Sequence, residues 1–298
     1  MLRLLAILVL LALAPVSALA TSTEINTAVH RGESFAVRNQ SGKIWVKAWD
    51  QDRILVRADH APGVAVRIAE QDRVHFLEQH ARHGEHDDVD YRIFVPAWMP
   101  VRIEGVNSPV VIDGLKDGVR VETVNGSIVV DRVGGDLAFS SVNGNVRVRE
   151  ARGRLRASSV NQDVALEHVE GNVFGEAVNG DIVLRSVAGD TVYTTTVRGD
   201  VYFSGAVRPR GRYYFSSHSG DVKVSLPKET DARVESFVFS GDFVTSIRSV
   251  EESLHRVKRQ LGRGKTYSFT LGTGDARLEL ESFEGDVVLD WLENSRIR

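Results

Sequence analysis

The densest group of chemically capable side chains is His80-Ala81-Arg82-His83-Gly84-Glu85-His86-Asp87-Asp88. Neutral imidazole is a common ligand of zinc, copper and nickel, so His80, His83 and His86 are the candidate metal ligands. Their spacing falls in a polar loop between two strands, not on a helix that would present i and i+4 ligands. A solvated loop is the competing reading, and no cofactor is assigned. A second group is aromatic: Tyr193, Tyr202, Phe203, Tyr213, Tyr214 and Phe215. Strand alternation turns Phe203 inward and Tyr202 outward. Tyr202 and Tyr214 are therefore candidates for stacking on sugar rings, against ordinary core and edge packing.

Other chemistry is excluded or weak. The chain has no cysteine, which removes thiol catalysis, disulfides and cysteine-ligated metal. It carries no Gly-x-Ser-x-Gly elbow, no His-Glu-x-x-His and no Gly-x-x-x-x-Gly-Lys-Ser/Thr loop. Asp131 and Glu167 show no pairing of the kind a glycosidase needs. The Gly-Asp pairs at 180–181, 189–190, 199–200, 220–221 and 241–242 lack the calcium-binding nonapeptide and read as turns. A net charge of −3 argues against a nucleic-acid partner.

The elements that must position these residues come from a repeat. Val-Asn pairs begin at Val106, Val124, Val142, Val160 and Val178, so Asn107, Asn125, Asn143, Asn161 and Asn179 recur every 18 residues. Gly135, Gly153, Gly171 and Gly189 keep the same step, as do Ile128, Val146, Val164 and Ile182. Between corners the residues alternate, as in Asn145-Val146-Arg147-Val148-Arg149, the period of a half-buried strand. One unit cannot bury its apolar face alone, but stacked units share a core. The expected fold is all-β: a β-solenoid of 18-residue coils with two short strands each over 105–290. The asparagines are expected as buried corner residues satisfying backbone groups, with a possible amide ladder along the axis.

The repeat loosens after residue 180, although Gly-Asp corners continue. Residues 21–104 are strand-rich and read as irregular opening coils or a β-cap. Val250, Leu254, Val257 and Leu261 form a helical stripe, so a helical or loop excursion is expected over 248–265. Residues 291–298 form a tail. At the other end, Arg3, the apolar run from Leu4 to Leu13 and Ser17-Ala18-Leu19-Ala20 have the pattern of a cleaved signal peptide over 1–20. No later segment is apolar enough to span a membrane. Export to the periplasm, the outer surface or the medium follows.

Val124-Asn125-Gly126-Ser127-Ile128, Val178-Asn179-Gly180-Asp181-Ile182 and Phe283-Glu284-Gly285-Asp286-Val287 carry a family resemblance. Gly42-Lys43-Ile44-Trp45-Val46, Trp49-Asp50 and Val95-Pro96 add to it. The chain resembles exported bacterial β-strand-repeat proteins of unknown function, related to the auto-transporter adhesin head GIN domain, over roughly residues 30–290. The resemblance implies a β-helical envelope protein with an adhesin-like role, and no catalytic residues. The expected function is non-catalytic binding or scaffolding, with an envelope protein or polysaccharide as partner. The alternatives are a carbohydrate-active lyase or hydrolase, and an envelope-stress accessory contacting a membrane regulator.

Overall fold

The computed structural model describes residues 21–80, 88–254, 259–261 and 264–292. The signal-like segment, His83 and His86 lie outside them.

The building block is an arch: a strand, a tight corner, and a second strand. In the arch 137–149, the strand 137–141 turns at Val142-Asn143-Gly144-Asn145 and continues as 146–149. Each arch stacks in parallel on its neighbour, with an offset of 18 residues among the regular arches, as in Leu137↔Leu155 and Val146↔Val164. The strands after the corner, such as 146–149, make the first face, and the strands before it, such as 137–141, make the second. Alternation then sorts the side chains. Ile44, Val110, Ile128, Val146, Val164, Ile182, Val201, Val222 and Val287 form one inward column, each at most 1% exposed. Such β-branched columns fill the space between parallel strands and build the core shared by both faces.

The link from one arch to the next is not a second turn. Residues 128–141 form one continuous strand, as do 146–159. The chain bends within these strands and their equivalents at Arg132, Glu150, His168 and Ser186, whose φ angles of 52–54° fall in the left-handed region. The glycines expected at this bend sit three residues later. There they permit close stacking: a Cβ on Gly153 would strike the Gly135 carbonyl, and one on Gly171 the Gly153 carbonyl. The two strands of an 18-residue coil are thus joined by a bend rather than by two glycine turns.

Both ends depart from sequence order. At the N-terminal end, Val74–His80 and Val89–Pro96 form the outermost parallel arch. The earlier strands Ser34–Ser41 and Ile44–Trp49 lie between it and the arch of Val101–Asn107 and Val110–Asp113. At the other end, Ala276–Glu284 and Val287–Trp291 lie between 212–226 and the arch of Ala232–Ser240 and Phe243–Thr245. At the C-terminal end the chain thus runs outward past a vacant level and returns to fill it, whereas at the N-terminal end it lays the second level, then the outermost, and then passes inward to the third. Antiparallel strands close the outer edges: Ala65–Gln71 and Arg53–His60 at one end, Gly264–Leu271 at the other. Such covering removes the unpaired edge that a bare solenoid would offer to a neighbour.

The expected helix is shorter than its stripe. It covers Arg248–Leu254, and residues 259–261 form a strand antiparallel to Gly264–Leu271. Val250 is buried against the core. Leu261 belongs to the strand, because pairing with the end cap satisfies backbone groups that a longer helix would leave beside an open edge. No helix among the described residues is long and apolar enough to cross a membrane.

Candidate functional site

The repeated corner sets what the surface displays. At its base, buried hydroxyls bond inward: Ser141 donates to the Gly126 carbonyl at 2.9 Å, Ser159 to Gly144 at 3.0 Å and Thr196 to Gly180 at 2.9 Å. The asparagines do not sit below the surface as expected; they are exposed. Their amides bond each other along the axis: Asn125 Nδ2 donates to Asn107 at 2.8 Å, Asn143 to Asn125 at 2.7 Å, Asn161 to Asn143 at 2.7 Å and Asn179 to Asn161 at 2.9 Å. Arg198 ends the ladder, donating to Asn179 at 3.0 Å.

Beside the ladder runs an apolar ridge. Val106, Val124, Val142, Val160, Val178 and Val197 stack in register at the corners, and all but Val106 are exposed. The column continues with His218, Phe283 and Phe239, whose rings stack at 4.8 and 4.2 Å.

A carboxylate column occupies the other side of the corner. Asp163 accepts the Asp181 amide at 2.9 Å, Asp181 that of Asp200 at 2.8 Å, and Asp200 that of Asp221 at 2.8 Å. Asp221 and Asp286 carry the series to Asp242 at 2.9 Å each. These Gly-Asp corners bond backbone across coils. Lys223 offsets their repulsion, lying 2.9 Å from Asp221 and 3.2 Å from Asp200. Burial pushes the Asp200 carboxyl up, but bonds from Tyr202, the Asp221 amide and Lys223 together hold it below its ordinary value.

The second face presents a different strip. Pairing aligns Arg102, Arg120, Ala138, Arg156, Phe174, Tyr193 and Tyr214 on successive arches, one outward position from each. Tyr193 and Tyr214 stack at 4.9 Å with 13° between rings, and the Arg156 guanidinium lies 5.5 Å from the Phe174 ring centre. Arg102 pairs with Glu104 and Arg120 with Glu122. Neither Arg154 nor Arg156 forms an ion pair among the described residues. The small side chains of Ala36 and Ala138 leave an open groove of about 770 Å³ along this strip, walled at one end by Phe76.

The structure separates the two candidate tyrosines. Tyr202 lies on the first face, bonded to Asp200 at 2.6 Å with Lys223 over its ring. Tyr214 lies on the second, donating to Glu281 at 2.7 Å. They form no common site, because outward positions on opposite faces cannot converge. Tyr214 belongs to the arginine–ring strip, of which the 18-residue step with alternation could have located Arg102, Arg120, Arg156 and Phe174. His80 ends its strand in an exposed position. Glu167 faces Arg185 at 3.1 Å, and Asp131 lies near Arg132 and Arg149, so these carboxylates do not pair with each other.

A family model, Toastrack DUF4097, matches residues 113–290. The chain belongs to the Toastrack DUF4097 family. No curated protein matches this Toastrack chain. Among solved structures, a candidate adhesin from Parabacteroides merdae is 11% identical, with a TM-score of 0.49, covering 91% of this chain and 96% of that one. Candidate adhesins from Bacteroides fragilis (10% identity, TM-score 0.38) and Parabacteroides distasonis (12%, 0.37) cover 91% and 92% of this chain, and 97% and 98% of their own. The Toastrack match begins inside the regular coils, so the N-terminal strands lie outside it.

Proposed function

We propose that this protein is an exported, non-catalytic rod that binds an acidic polysaccharide along its second face. The observation that carries this reading is the outward strip of Arg102, Arg120, Arg156, Phe174, Tyr193 and Tyr214. Guanidinium groups bond carboxylates in a planar fork. Aromatic rings take the apolar faces of sugars. A strip repeating at about 4.8 Å per arch matches an extended polymer better than a compact ligand. The groove is open along its length, which admits a chain without requiring its ends. Export is supported by the n-region, apolar run and small residues of 1–20.

The test is binding of an acidic polysaccharide and its neutral counterpart to the full chain. The acidic polymer should bind more tightly, with affinity falling as salt rises. Arg154→Ala with Arg156→Ala should weaken it at least tenfold. Equal affinity for the neutral polymer, or an undiminished double variant, would refute the reading.

The valine ridge favours a second reading, docking of an envelope protein. An exposed apolar line flanked by polar groups has the make-up of a protein contact. Val142→Lys with Val160→Lys should abolish capture of such a partner and leave polysaccharide binding intact.

A further inference from the structure

The N-terminal cap holds a polar cluster that the binding strip does not use. Glu33 precedes the strand Ser34–Ser41, and Glu70 and His75 face each other across the hairpin of Ala65–Gln71 and Val74–His80. His75 is 2% exposed and Glu33 is 9% exposed, so both are embedded in the cap. The Glu33 carboxylate lies between two imidazoles. His75 Nε2 is 2.8 Å from its Oε2, and His30 Nδ1 is 3.3 Å from its Oε1. One ligating atom each from Glu33, Glu70 and His75 falls within 4.8 Å of the others. The buried Nδ1 of His75 has no hydrogen-bond partner among the described residues. Nε2, the atom that faces Glu33, is therefore the ring nitrogen engaged with the cluster.

We propose that Glu33, Glu70 and His75, with His30 as a fourth ligand, bind a divalent first-row transition metal ion, for which zinc is the probe. The donor set suits that class: imidazole nitrogen with carboxylate oxygen favours zinc and its neighbours over calcium or magnesium. Two carboxylates balance the ion's charge, and the buried histidine excludes water from one side. Zinc at about 2.0–2.1 Å from each ligand places ligand atoms about 3.3 Å apart. Glu70 and His30 are exposed and free to close that distance by side-chain rotation. The nearby guanidiniums are engaged elsewhere: Arg73 donates to the Arg31 carbonyl at 3.0 Å, and Arg31 lies 4.8 Å from the Trp98 ring centre. A bound ion would tie the hairpin to the chain entering the first coil, so it would act as a clasp on the cap. The cluster precedes residue 113 and so lies outside the family match.

The experiment is calorimetric titration of zinc into metal-free full chain, with melting temperature followed in parallel. One equivalent should bind and raise the melting temperature. Glu70→Gln, at an exposed position that leaves the fold intact, should weaken binding at least tenfold, and His30→Ala should weaken it as well. His75→Gln should abolish it, with circular dichroism confirming that the strands remain. His80→Ala with His83→Ala and His86→Ala should leave affinity unchanged. Absence of binding, or binding lost in the loop variant but kept in Glu70→Gln, would overturn the proposal.

Discussion

At the residue scale, the corner hydroxyls and the bend residues carry more of the structure than the repeated asparagines. The Ser159 hydroxyl is buried and bonds the Gly144 carbonyl at 3.0 Å. Ser159→Ala removes the donor and leaves that carbonyl unpaired, at a cost of about 1–3 kcal/mol. Asn143 makes two ladder bonds but is exposed, so Asn143→Ala should cost about 1 kcal/mol or less. Urea unfolding of both variants checks the order; a larger loss at Asn143 would contradict it. Gly171→Ala combines a φ of 137° with a Cβ directed at the Gly153 carbonyl, and should exceed both, at more than about 2 kcal/mol. Asp200 gives the pH dependence. Its folded-state value is depressed, so its stabilisation is present above the ordinary carboxylate value near 4 and is lost as pH falls through the lower folded value. Asp200→Asn should therefore cost more stability at pH 7 than at pH 3. Equal losses at both pH values would show that the carboxylate's charge is not the source.

At the element scale, the regular arches are readable because one spacing repeats. Val-Asn-Gly and the alternating pairs Ile128/Val130, Val146/Val148 and Val164/Leu166 state both the corner and the inward side. The bend at Arg132, Glu150, His168 and Ser186 is not readable, because four unrelated side chains share one backbone conformation. Nothing in their types signals it, whereas the neighbouring glycines attract attention for a different reason, close stacking. Likewise the helical stripe through Leu254 and Leu261 is real as a pattern, yet Leu261 pairs in a strand at the cap. The candidate site shows the same division. The 18-residue step aligns Arg102, Arg120, Arg156 and Phe174, but Tyr193 and Tyr214 join their strip only through offsets of 19 and 21, which the register alone reveals. The buried Glu33–His75 contact joins residues 42 apart in sequence and carries no local signature.

At the scale of the whole molecule, the interleaved ends decide how the rod is assembled. The arch 276–291 fills the level between 212–226 and 232–245, so the outer arch has no parallel neighbour until the C-terminal segment is in place. A chain ending at residue 275 should therefore keep its central coils while residues 232–271 become open to proteolysis. Limited proteolysis that leaves 232–271 as resistant as in the full chain would show that the inserted arch is dispensable. The described residues form eleven parallel arches, which at about 4.8 Å each step give a rod of about 48 Å, long enough to lay one outward chemistry along several units of a polymer. The family assignment rests on the coils, and the arginine–aromatic strip lies largely within them. Hydroxyl-radical footprinting, with and without acidic polysaccharide, tests this directly because it reports which side chains a ligand covers. The predicted result is protection of Phe174, Tyr193 and Tyr214 with Phe239 and Phe283 unchanged. Protection of Phe239 and Phe283 alone, or of no ring, would contradict a binding face on the arginine–aromatic strip.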